Sequence, residues 1–200
     1  MTACRPKNQP ASHRYAVSAT GMTSDTLDRT EKTNTDQSIT FRIPDATDGS
    51  DVYKLISRCQ PLDTNSMYCN LLQCSHFAET AVAADMNGEL VGFISGYRLP
   101  QQPDTLFVWQ VAVDKKARGQ GLAVRMLNEL LQRHRHAVNH LHTSITPGNE
   151  ASWNTFRRLA NNLGAPLNIS TLFDKEQHFK QAHDSEMLVH IGPFTYVTQE

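Results

Sequence analysis

Val111-Ala112-Val113-Asp114-Lys115-Lys116-Ala117-Arg118-Gly119-Gln120-Gly121-Leu122-Ala123 is the stretch that decides the fold. The apolar run ending at Val113 reads as the close of a strand. Arg118 to Gly121 reads as a basic glycine turn, and Leu122, Met126, Leu127, Leu130 and Leu131 fall on one side of a helix that runs to Arg133. A helix N-terminus carries unpaired N–H groups and a partial positive charge. Glycine lets the backbone approach a guest closely. The combination predicts an anion site for a phosphate or pyrophosphate, with Arg118 adding a fixed charge. It is not a P-loop, because Leu122-Ala123 follows the last glycine where Lys-Ser or Lys-Thr is needed. Nor does it hold the three spaced glycines of a dinucleotide fingerprint.

Outward from this turn the chain alternates strands and helices. Strands are predicted over 39–43, 80–84, 90–97, 105–113, 138–145, 169–173 and 187–191, with Asn87-Gly88 as a hairpin turn between the second and third. Helices are predicted over 48–58, from about residue 65 with Met67, Leu71, Leu72 and Cys74 as its apolar set, over 121–133, and over 150–161 with Gly164 closing the last. Pro61 stops the first helix. The order predicts an α/β fold with a mixed sheet. The unit from Thr105 to Ile145 should be a right-handed parallel crossover.

The chain has 200 residues, 19 Lys and Arg against 20 Asp and Glu, so its net charge is −1. That balance argues against a protein whose main work is gripping nucleic acid or anionic membrane, and equally against an acidic surface suited to molar salt. No apolar window is long enough to span a bilayer, and the polar N-terminus lacks the apolar core of a secretory signal, so a cytoplasmic protein is expected. Residues 1–38 hold 11 Ser or Thr, one aromatic, and only Val17 and Leu27 among large aliphatics. This composition predicts a disordered polar tail in front of one domain over 39–200. The cysteines at 4, 59, 69 and 74 show no C-x-x-C spacing, and the last three read as small apolar residues in a reducing compartment.

Arg118, Gly121 and Ala123, preceded by the strand Trp109 to Val113, match the signature of the GNAT acetyltransferase superfamily, which the chain resembles over most of residues 39–200. The resemblance implies the GNAT fold, a mixed and mostly antiparallel sheet flanked by helices. It implies acetyl-CoA as co-substrate and no metal. The backbone of Arg118, Gly119, Gln120, Gly121, Leu122 and Ala123 would wrap the pyrophosphate. Val111 would face the thioester carbonyl, and Val113 would pair with the pantetheine arm like an added strand. Asn149, which opens the fourth helix, matches the family's pantetheine-contacting Asn and is also a natural N-cap. One position departs from the pattern. Many members carry a Tyr seven residues after that Asn to protonate the leaving thiolate, and Phe156 stands there.

Pro61 to Tyr68, Trp109, His183 to Glu186 and Ile145 to Ser152 together resemble the diaminobutyrate acetyltransferases within that superfamily. This implies transfer of acetyl to the 4-amino group of L-2,4-diaminobutanoate, a step in the biosynthesis of the compatible solute ectoine used under osmotic stress. A substrate with two ammonium groups and one carboxylate calls for anionic partners, and Asp63 and Glu186 are the candidates. Asp63 is equally a candidate helix cap. Glu186 or His183 would take the ammonium proton. Tyr68 would serve as the acid or hydrogen-bond the substrate, or fill the core. Trp109 would line the acceptor pocket or pack in the core. His140 and His142 share a strand face and could meet His178 or His183, but acetyl transfer requires no metal. A GNAT enzyme for another small amine and a non-catalytic acyl-CoA-binding module remain the alternatives. A homodimer is compatible with the resemblance, and no pattern in the sequence demonstrates one.

Overall fold

The computed structural model describes residues 38–60 and 62–196. The expected tail, apart from Ser38, and the expected helix stop at Pro61 lie outside the described residues. The elements run β1 (Ile39–Arg42), α1 (Gly49–Ser57), α2 (Met67–Ser75), β2 (Val82–Met86), β3 (Glu89–Leu99), β4 (Gln102–Val113), α3 (Leu122–Arg133), β5 (His140–Ile145), α4 (Glu150–Leu163), β6 (Leu167–Phe173) and β7 (Glu186–Ile191). The sheet order is β1-β2-β3-β4-β5-β7-β6. Every pairing is antiparallel except β4 with β5, which α3 connects. The expected parallel pairing of the strands flanking α3 and the mostly antiparallel mixed sheet are therefore both present. No described helix is long and apolar enough to cross a membrane.

Local chemistry explains most boundaries. Asn87 and Gly88 both take positive φ, +54° and +78°, as a two-residue turn with primed geometry requires. Gly164 ends α4 in the left-handed conformation. Thr80 begins no strand. Its hydroxyl donates to Phe77 O or Gly96 O, and residues Ala78–Thr80 form a 3-10 turn instead. Apolar positions of α3 and α4, including Met126, Leu127, Leu130 and Leu159, are completely buried against one face of the sheet. On the other face α1 buries Val52, Leu55 and Ile56 with Phe93 and Ala112.

α2 departs from expectation. Its buried residues are Asn70, Gln73 and Cys74, while Met67 is 44% exposed. Asn70 Nδ2 donates to Gln73 Oε1 across 2.9 Å inside the fold. The helix starts at a Ser66 cap, whose hydroxyl accepts the Cys69 N–H at 3.1 Å. Leu71 fits against the start of α1 because Gly49 has no side chain: a Cβ there would lie 2.6 Å from Leu71 Cδ2.

Candidate active site

The site begins where the sheet opens. The β4–β5 ladder runs from Thr105 opposite His140 to Val108 opposite Thr143 and stops. β4 continues to Val113, while β5 continues to Ile145 paired with β7 alone. Trp109 sits in a bulge at the point of parting. Its neighbours Val108 and Gln110 pair with Gly96 and Ser95, which leaves Trp109 without a partner. Gly96 permits the tight crossing, since a Cβ there would stand 2.6 Å from Phe107 O. Asp114 N–H donates back to Val91 O at 2.8 Å. By the alternation of a strand, the N–H groups of Val111 and Val113 therefore point the other way, into the opening. The Val113 carbonyl accepts Arg118 Nε at 3.0 Å and Cys59 Sγ at 3.4 Å.

Beside this opening lies the glycine turn. Gly119 and Gly121 hold φ of +78° and +66°, and a Cβ at either would meet nothing within 4 Å. The bend turns the N-terminus of α3 outward. The backbone N–H groups of residues 119–124 have no acceptor among the described residues. α4 presents its own N-terminus across the gap, capped by Asn149, whose Oδ1 accepts the Ser152 N–H at 3.1 Å. Between the two helix starts is a cleft of about 460 Å³, lined by Val111, Val113, Arg118, Gly119, Gly121, Leu122, Ala123, Asn149 and Phe156 among others. Of the residues expected to hold the coenzyme, only Gln120 falls outside this lining. Unpaired donors beside open space on a positive helix end suit a pyrophosphate, and the apolar wall toward Phe156 suits the pantetheine arm.

A second cleft of about 710 Å³ adjoins the first and shares Leu62, Val111, Asn149, Ser152 and Phe156 with it. It brings together the expected Asp63, Trp109, His183 and Glu186. Tyr68 does not join them: it lies outside the lining and is 70% exposed, because the Ser66 cap fixes the phase of α2 and turns that position outward. Asp63 is accordingly not the helix cap. Trp109, 48% exposed, is not core. His183 Nδ1 lies 2.7 Å from Asp184 O, an oxygen that only accepts, so Nδ1 carries the proton and Nε2 faces Asp63 Oδ2 at 3.9 Å. Phe156 is 3% exposed at the junction of the clefts and offers no proton.

Four further polar residues of this cleft have no signature in the sequence. Gln110, the residue after the bulge, donates through Nε2 to Asp63 O at 2.9 Å and accepts from Asn65 Nδ2 at 3.1 Å. It ties the α1–α2 loop to the sheet. Lys175 and Asp184 come from the β6–β7 loop and pair at 2.9 Å. That loop is built around its own aromatic contacts, Phe173 with Phe179 and Phe179 with His183, the latter with ring centres 4.8 Å apart.

Other candidate chemistry falls away. Burial pushes the Cys59 and Cys69 thiols up and takes Cys74 to about 12, so none is a thiolate nucleophile near neutral pH. His140 and His142 meet neither His178 nor His183. They meet His190, whose Nε2 is 2.9 Å from His140 Nδ1. Among the described residues no group of three or more His, Cys, Asp or Glu is arranged to hold a metal.

Comparison with known proteins agrees with this geometry. Residues 50–160 match the model of the acetyltransferase (GNAT) family. The L-2,4-diaminobutyric acid acetyltransferase of Methylotuvimicrobium alcaliphilum is 58% identical over 160 residues, 80% of this chain and 93% of that protein. The protein of the same name from Vibrio parahaemolyticus is 47% identical over 152 residues, 76% of this chain and 84% of that one. Among solved structures, the diaminobutyrate acetyltransferase EctA of Paenibacillus lautus, in complex with L-2,4-diaminobutyric acid and coenzyme A, superposes with a TM-score of 0.76 at 37% identity, covering 80% of this chain and 98% of that one. The opened β4–β5 seam, the glycine-bent start of α3 and these matches together place the chain in the GNAT family of acetyltransferases.

Proposed function

We infer that this chain transfers acetyl from acetyl-CoA to the 4-amino group of L-2,4-diaminobutanoate, giving N4-acetyl-L-2,4-diaminobutanoate in ectoine biosynthesis. The observation that carries the reading is the junction of the two clefts at Val111 and Phe156. It lets a thioester reached from one side meet an amine held from the other. The carboxylates of Asp63, Asp184 and Glu186 around the second cleft suit a doubly ammonium-bearing acceptor.

Acetyl-CoA supplies the electrophile, a thioester carbonyl. The Val111 N–H, turned away from β3, is placed to polarise the carbonyl oxygen as negative charge develops. An alkyl ammonium of pKa about 10 is neutral in roughly one molecule per thousand at pH 7, a deficit of about 4 kcal/mol. Glu186 removes that proton directly or through one water, with His183 Nε2 as the second candidate base. The freed amine forms the N–C bond, its nitrogen gives up a second proton to water as the tetrahedral adduct collapses, and the C–S bond breaks. With Phe156 in the wall, no side chain there protonates the leaving sulfur. A thiol pKa of about 8.5 lets thiolate depart at modest cost. Asp63 holds an ammonium and Trp109 covers the methylene chain. A cytoplasmic enzyme belongs to this reading. A homodimer belongs to the same proposal, supported by the 50% exposure of Ile169 and 45% of Phe173 on β6.

Purified protein, acetyl-CoA and a panel of amines, with thiol release followed, tests the function. Preference for diaminobutanoate over ornithine, lysine and diaminopropane is expected. Equal or better turnover of another amine overturns the acceptor, and thiol release from none of them overturns the enzyme itself.

A further inference from the structure

The charges around the acceptor cleft are unequal. Its lining holds the carboxylates of Asp63, Asp184 and Glu186, and one permanently cationic side chain, Lys175. A simple diamine needs only the carboxylates. An amino acid brings its own carboxylate into that anionic surround, and an unpaired like charge is strongly disfavoured.

The position of the lysine matters as much as its sign. The reacting end of the substrate must lie where the clefts meet, at Val111 and Phe156. The α-ammonium and α-carboxylate stand at the opposite end of a four-carbon chain, so they lie toward the solvent side. Lys175 and Asp184 are on that side: their side chains are 44% and 69% exposed, on the loop between β6 and β7. The lysine does not reach in from a loose strand of chain. Its own N–H donates to Ser185 Oγ at 2.9 Å, and its Nζ meets Asp184 Oδ1 at 2.9 Å. One cation and one anion held side by side are the mirror of an α-amino acid head group.

We propose that the Lys175–Asp184 pair recognises the α-amino-acid head of the acceptor, with Lys175 taking the carboxylate and Asp184 the α-ammonium. The assignment rests on the functional reading above. It makes Lys175 the residue that separates diaminobutanoate from 1,3-diaminopropane, the same molecule with hydrogen in place of the carboxylate.

The test is the ratio of kcat/KM for diaminobutanoate to that for 1,3-diaminopropane. Both amines are turned over by one preparation, so any loss of folded protein cancels. Lys175→Gln should lower this ratio about tenfold, the worth of one partly exposed charge-assisted hydrogen bond, and mainly through KM. Lys175→Arg, which keeps the charge, should restore most of it. On the wild-type protein, L-2,4-diaminobutanamide, which has an uncharged carboxamide in place of the carboxylate, should fall about tenfold below diaminobutanoate. A wild-type ratio in Lys175→Gln, equal losses in the Gln and Arg variants, or equal turnover of amide and acid overturns the assignment. Failure of the wild-type protein to acetylate diaminobutanoate strikes the functional reading instead and takes this one with it.

Discussion

Replacing Gln110 by Leu should impair use of the amine while sparing use of the coenzyme. Gln110 makes two hydrogen bonds to the α1–α2 loop, to Asp63 O at 2.9 Å and from Asn65 Nδ2 at 3.1 Å. The Asp63 side chain is 93% exposed and its ion-pair partner among the described residues is His183, 3.9 Å away, so the backbone sets its place in the cleft. Leucine keeps the volume and removes both bonds. Each neutral bond is worth about 0.5–1.5 kcal/mol net, and half-burial puts the pair near 1.5–2 kcal/mol. If that energy fixes Asp63 for binding, the amine KM should rise roughly 10- to 30-fold. Gln110 is absent from the lining of the coenzyme cleft, so the acetyl-CoA KM should stay within about twofold. The assay is steady-state thiol release with each substrate varied in turn, alongside thermal unfolding. An unchanged amine KM refutes the argument that Gln110 positions the loop. A parallel rise in both KM values refutes the separation of the two clefts.

Gly121→Ala forces a left-handed alanine at a cost of about 1–2 kcal/mol and puts a methyl in the pyrophosphate cradle, so the acetyl-CoA KM should rise about tenfold in initial-rate measurements while the amine KM does not. Glu186→Gln should reduce kcat by about 10²- to 10⁴-fold with an unaltered melting temperature, as expected for loss of a base, and wild-type turnover would remove it from that role. Burial first, and neighbouring imidazoles second, lower the His142 and His190 pKa values. The native state then resists protons that the unfolded chain accepts near pH 6.5, so stability is complete above that pH and is lost as pH falls toward the native values. Melting curves from pH 7.5 to 5.5 should show the decline, and His190→Gln should flatten it. Among the described residues the ionisable groups acting on these rings are imidazoles, His140 on both and His190 on His142. Leu127→Ala, at a completely buried site under the sheet, should cost about 3–5 kcal/mol in denaturant unfolding.

The parts legible in the sequence are those fixed by neighbours along the chain. The apolar face of α3, the Asn87-Gly88 turn and the glycine bend at 119–121 each announce themselves within a few residues. α2 misleads because its buried side carries two amides: Asn70 donates to Gln73, and an apolar count selects Met67, which is 44% exposed. The bulge at Trp109 depends on how β3 is registered against β4, information spread over residues 95–110 and invisible to any local window. The family resemblance puts Tyr68 at the acceptor cleft, but the phase of α2 turns that position outward, where it is 70% exposed. Lys175 and Asp184 lie nine residues apart in a hydrophilic loop, and only the closed loop makes them a pair.

The parted seam between β4 and β5 has a thermodynamic corollary. Four residue pairs join the two halves of the sheet there, and beyond Val108 the outward N–H of Val113 has no strand to bond among the described residues. A ligand that lies along that edge binds the folded chain and not the unfolded one, so occupancy becomes stability by mass action. At one hundred times its dissociation constant it adds about 2.7 kcal/mol. The lifetime of the folded enzyme is thereby tied to the supply of its coenzyme. A shortage of acetyl-CoA and CoA would thin the enzyme population as well as slow each molecule.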